Sequence, residues 1–111
     1  MNRRILPTPA LLCALALCAL APAAHAAGSW ERAHPRRDQV IDRTQHLNAR
    51  IRHERHEGEL TAAQARNLHA QVRNTRLEQR SMARSNGGYL TKAQQAGLNQ
   101  QESAISRQVG R

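Results

Sequence analysis

The chain has no phenylalanine, one tryptophan (Trp30) and one tyrosine (Tyr89) in 111 residues. Two large aromatics cannot form a stacking platform for nucleic-acid bases, and no helix-turn-helix or zinc pattern stands in for one. Cysteine is confined to Cys13 and Cys18, both in an apolar N-terminal stretch. Beyond that stretch there is no thiol, so disulfides, thiolate catalysis and cysteine-bound metals are excluded there. Large aliphatics are sparse: from Ala27 onward only 12 of 85 residues are Leu, Ile or Val. Such a chain builds a thin core at best, and self-association as a homodimer or weaker oligomer is the expected route to further burial. Acids are outnumbered, eight Asp and Glu against 17 Lys and Arg, giving a net charge of +9.

The N-terminus reads as a secretory signal peptide over residues 1–26. Arg3 and Arg4 supply its charged start, Ala10 to Ala21 its apolar run, and Ala24-His25-Ala26 the small residues before cleavage. The twelve apolar residues fall short of the roughly 20 needed to span a bilayer, so no transmembrane segment is expected. The surroundings of Arg3-Arg4 fit a twin-arginine signal poorly, and Leu17 stands before Cys18 where a lipoprotein needs a small residue. The expected location is the periplasm of a Gram-negative bacterium or the exterior. Removal of residues 1–26 leaves 15 basic and eight acidic residues, a net charge of +7, and 14 of the 15 are Arg. A surface of that kind suits anionic or unfolded polypeptides or an envelope polyanion such as lipid A phosphates. The competing reading is a solvated helical surface whose Arg stems cover sparse apolar area.

What the sequence does have is a pattern written twice. Gly58-Glu59-Leu60-Thr61-Ala62-Ala63-Gln64 precedes Leu68 and Gln71; Gly88-Tyr89-Leu90-Thr91-Lys92-Ala93-Gln94 precedes Leu98 and Gln101. Each copy reads as a glycine turn, a buried leucine (Leu60, Leu90), and a Thr-x-x-Gln capping box that opens a helix. Upstream, Val40, Thr44, Leu47 and Ile51 form a narrow helical stripe from Arg36 to about His56, where Gly58 ends it. The second helix carries Ala65, Leu68, Val72 and Met82, diluted by Thr75 and Gln79, until Gly87 and Gly88 stop it. The third carries Leu98, Ile105 and Val109. The expected fold is all-α: three helices in an antiparallel hairpin or three-helix arrangement over residues 36–111, after a flexible segment at 27–35 anchored only by Trp30.

Both repeats fall in the frame of an EF-hand calcium loop, with Gly58 or Gly88 sixth, Leu60 or Leu90 eighth, and Gln64 or Gln94 last. The ligand places do not follow: His53, Arg55 and Glu57 in one loop, Ala83, Ser85 and Gly87 in the other, and no closing glutamate. The pair therefore resembles degenerate EF-hand helix-turn-helix repeats that do not bind calcium. Leu60 to Gln64 and Leu90 to Gln94 also resemble the LTxxQ signature of the Spy and CpxP periplasmic proteins. That resemblance implies a helical dimer with a basic concave face, acting as a chaperone or sensor modulator. A broader likeness is to a group of small, uncharacterised secreted proteins of proteobacteria. It rests on His34-Pro35-Arg36-Arg37, Asn48-Ala49-Arg50-Ile51, Asn86 to Thr91, Leu98 to Glu102 and Ser106-Arg107-Gln108, and implies no activity.

Among the five histidines after residue 26, His46, His53 and His56 are spaced to share a helical face and are the candidates for a divalent-metal site. Exposed histidines on a polar helix explain the same spacing. His53-Glu54-Arg55-His56 places its second histidine one residue too early for a zinc-protease helix, about 100° off the first one's face. No glycine-flanked serine is present, and Glu54, Glu57 and Glu59 sit among arginines as solvated ion pairs would, so an enzyme is not expected and no cofactor is called for. The expected function is a non-enzymatic exported binding protein, chaperone-like or stress-related. Its partner surface would be Arg50, Arg55, Arg66, Arg73, Arg76 and Arg80. The alternative is a degenerate EF-hand-like structural module or a divalent-metal-binding protein.

Overall fold

In the computed structural model, residues 28–110 are described; the signal peptide read at 1–26, with Cys13 and Cys18, lies outside them. The described residues are helical, with no strand among them: α1 (Ser29–Ala33), α2 (Pro35–His56), α3 (Ala62–Ser85) and α4 (Lys92–Val109). No helix among the described residues is long and apolar enough to cross a membrane. The three long helices fall where the caps and glycines place them. Thr61 and Thr91 each accept from the amide of Gln64 and Gln94 at 3.1 Å, and each glutamine reaches back to its threonine amide. These reciprocal bonds satisfy amides that the first helical turn leaves orphaned.

The α2–α3 turn is built on Gly58, whose φ of +81° lies in the left-handed region. From there the Gly58 amide donates to the Arg55 carbonyl and the Glu59 amide to that of Glu54, closing α2 in a Schellman motif. At the far end of α3, Gly87 and Gly88 have φ of +65° and +101°, and the Gly88 amide donates to the Ala83 carbonyl at 2.7 Å. The 24 residues of α3 span about 36 Å, so the two repeated turns stand at opposite ends of it. The leucine anchors are both buried, but in separate places: Leu60 packs with Leu47, Ile51, Ala65, Leu68, Val72, Ile105 and Val109, and Leu90 with Val40, Ala83 and Leu98. Each repeated turn thus buries its leucine in its own apolar cluster.

Two differences from the sequence reading concern the N-terminal segment and the core. Ser29–Ala33, read as irregular, is a helical turn packed on α2. Its fixing contacts are a ring stack, with Trp30 on His34 and His34 on Tyr89 at centroid distances of 4.6 Å in both cases. The Arg37 guanidinium lies 5.2 Å from the Trp30 centroid on the same column. These contacts join His34 to Arg37 with the Gly88-Tyr89 turn, two segments more than fifty residues apart. Between the two apolar clusters the core is polar: Thr44, Thr75, Gln79 and Glu102 are all buried. Glu102 fills the seven-residue gap between Leu98 and Ile105 that the apolar pattern of α4 leaves open.

Candidate functional site

The arginines of α2 divide by which neighbour they face. Arg43 donates to the Asn99 carbonyl at 3.2 Å and to Ser103 Oγ at 2.8 Å. Two turns later on the same flank, Arg50 donates to Ser106 Oγ and to the Gly110 carbonyl, both at 2.6 Å. Arg50 thus holds the C-terminal end of α4, where exposed carbonyls and the helix dipole favour a cation. At the opposite end Arg36 donates to the Leu90 carbonyl, and Arg37 to Gln79 Oε1 and the Gly88 carbonyl. These four guanidiniums staple α2 to its neighbours. Of the six arginines expected to form a partner surface, Arg50 is thereby placed in the α2–α4 seam.

The other five are exposed and lie elsewhere. His69 of α3 shares a 2.8 Å hydrogen bond with Asn48 of α2, and this contact marks the α2–α3 seam. Arg52 and Arg55 follow Asn48 by four and seven residues, so they lie on that flank of α2. Arg66 and Arg73 bracket His69 at three and four residues, and Arg76 follows it by seven. Arg80 follows Arg73 by seven, a spacing that drifts only about 20° around a helix. The result is one face carrying Arg52, Arg55, Arg66, Arg73, Arg76 and Arg80, with no hydrogen bond to any of their guanidiniums among the described residues. Two carboxylates of these helices, Glu78 and Glu54, lie off it. Glu78 follows Gln71 by seven, on the flank of α3 that Gln71 bonds to Gln108 of α4. Glu54 follows Arg50 by four, on the α4 flank of α2. Leu77, 51 % exposed, borders the basic line on α3.

Within this face, Arg52, Arg55, His56 and His69 line an open groove of about 460 Å³ across the α2–α3 seam. A second groove of about 480 Å³ is lined by Leu60, Ala63, Gln64, Asn67, Leu68 and Gln108, neutral side chains throughout. Sequence reading missed Arg52 and gave His69 no role, although the spacing of Asn48, Arg52 and Arg55 contains the register. His46, His53 and His56 are all exposed on α2, and among the described residues no group of three or more His, Cys, Asp or Glu is gathered to hold a metal. Leu60, Thr61, Gln64, Leu90, Thr91 and Gln94 act in turns and caps, as do Gly58, Gly87 and Gly88.

Glu102 is the outlying group. It is 0 % exposed, and neither carboxylate oxygen has a hydrogen-bond partner among the described residues. The threonines of the polar layer spend their hydroxyls elsewhere, Thr44 on the Ile41 carbonyl at 2.6 Å and Thr75 on the Gln71 carbonyl at 3.1 Å. Burial pushes the Glu102 carboxyl up from 4.5 to about 7, while the Arg43 guanidinium draws it down. Its full burial makes it a determinant of stability.

Comparison of the chain with family models, with curated proteins and with solved structures finds no match.

Proposed function

We propose that the protein is a non-enzymatic, exported binding protein, periplasmic or secreted, whose α2–α3 face engages anionic or unfolded polypeptide or an envelope polyanion in a chaperone-like manner. The observation that carries this reading is the line of Arg55, Arg66, Arg73, Arg76 and Arg80, all exposed and with no hydrogen bond from their guanidiniums among the described residues. Six guanidiniums on one face, counting Arg52, give long-range attraction, and Leu77 beside them gives weak apolar contact. Such a surface binds loosely and with little discrimination, as a holding chaperone requires. The LTxxQ resemblance and the basic charge support the same reading. The thin apolar content favours self-association, and the outer face of α3 leaves room for it.

A second reading holds for part of the molecule. Arg36, Arg37, Arg43 and Arg50 are bonded within the bundle, and this favours a structural role for them and for the Gly88-Leu90 turn that Arg36 and Arg37 brace. On this view the hairpin of long helices is a scaffold for the basic face. The two readings separate in one assay. Purified protein is mixed with a reduced, aggregating client at equal ratio, in low and high salt. Suppression of aggregation that weakens with salt supports the binding reading, because exposed charges are screened beyond about 8–10 Å at such ionic strengths. No suppression at either salt leaves the scaffold reading alone.

A further inference from the structure

The groove across the α2–α3 seam differs from the rest of the basic face because donors converge on it from two helices. Arg52 and Arg55 are three residues apart on α2, which brings their stems to neighbouring positions about 5–6 Å apart. His56 stands at the end of α2, and His69 reaches the groove from α3. The Asn48 hydrogen bond fixes the His69 ring. No carboxylate lines the groove. Three backbone carbonyls in the last turn of α2 are engaged: those of His53, Glu54 and Arg55 accept from the amides of Glu57, Glu59 and Gly58. Neither the Arg52 nor the Arg55 guanidinium has a hydrogen-bond partner among the described residues.

A planar carboxylate satisfies one guanidinium fork. A tetrahedral phosphate presents acceptor oxygens in several directions and suits donors arriving from two sides. We propose that this groove is a binding site for a terminal phosphate group, a phosphomonoester or pyrophosphate, held by Arg52 and Arg55 with His56 and His69 beside them. The proposal rests on the reading of the α2–α3 face as a binding surface and names the chemistry of one locus on it. A lipid-borne phosphomonoester and a soluble one present the same group.

The test titrates ¹⁵N-labelled protein with inorganic pyrophosphate, following amide shifts, and separately measures co-sedimentation with phosphatidic acid vesicles against pure phosphatidylcholine vesicles. Saturable shifts are expected at residues 52–56 and 69. Arg52→Gln with Arg55→Gln should weaken pyrophosphate binding roughly a hundredfold, about tenfold per lost charge-assisted contact. Arg73→Gln with Arg80→Gln, equal in charge removed, should weaken it by less than about threefold through the lost field alone. Both pairs are exposed, and unchanged melting curves confirm that folding is intact. Binding of both probes, or of vesicles alone, lost selectively in the Arg52/Arg55 variant, supports the site; the second outcome assigns a lipid-borne phosphate. Equal weakening in the two variants, or no binding of either probe, overturns it. Salt-sensitive client suppression that survives without phosphate binding would overturn the groove and leave the broader face standing.

Discussion

Replacing Glu102 by leucine should stabilise the protein at alkaline pH and do almost nothing at acid pH. The carboxyl is fully buried, unbonded at both oxygens, and raised from 4.5 to about 7. A group whose folded pKa lies above its unfolded value binds its proton more tightly in the folded state. Its stabilising contribution is complete below about pH 4.5, declines as pH rises, and is lost once pH passes about 7. A difference of about 2.5 units at 1.36 kcal/mol each amounts to about 3 kcal/mol. That is a large share of the 5–15 kcal/mol typical of a domain, and in a core this thin it should be plain in a melt. At pH 8 Glu102→Leu removes a buried, unpartnered charge and should raise the melting temperature by roughly 15 °C. At pH 4.5 the same substitution trades a neutral acid for a hydrocarbon of similar volume, and the curves should nearly coincide. Circular dichroism melts of both proteins at pH 4.5, 6, 7 and 8 provide the assay, and subtracting one series from the other removes titrations the two share. A difference that does not grow between pH 4.5 and 7, or a variant less stable than the wild type at pH 8, would refute the reasoning.

The helix caps and the α2–α4 staple make two more expectations. Thr61→Ala and Thr91→Ala should each cost about 1 kcal/mol in urea unfolding, because each removes the hydroxyl that accepts from the Gln64 or Gln94 amide at a helix start. Equal loss at both sites would follow from their matching geometry. Arg50→Gln should speed amide exchange over the last turn of α4, up to Val109, whereas Arg73→Gln should leave it unchanged, since only Arg50 bonds Ser106 and Gly110.

The long helices were legible because their ends carry local chemistry. Thr61, Gln64, Thr91, Gln94, Gly58 and Gly87 act on backbone atoms within a few residues, and no tertiary information is needed to read them. The short α1 was not legible, because its support is the stack of Trp30 and His34 on Tyr89, a contact fifty-odd residues away in the chain. Glu102 escaped for another reason. An isolated acid between apolar positions reads as a solvated residue, and only the register against Thr44 and Thr75 shows that it points inward. Arg50 and Arg55 look alike in sequence, five residues apart on one charged helix. What separates them is the neighbour each flank meets, α4 for the first and α3 for the second, and that is decided by how three helices close on one another.

The basic face itself is best tested by removing it. A variant with Arg66, Arg73, Arg76 and Arg80 all changed to glutamine keeps the helix-forming character of α3 and breaks no hydrogen bond to the guanidiniums. Its ability to suppress aggregation of a reduced client at low salt is compared with that of the wild type, with matched melting curves as the control for folding. Suppression by the wild type that falls in the variant to the level the wild type shows in high salt is the result expected of a binding face on α2 and α3. Suppression that is equal in the two proteins would contradict it.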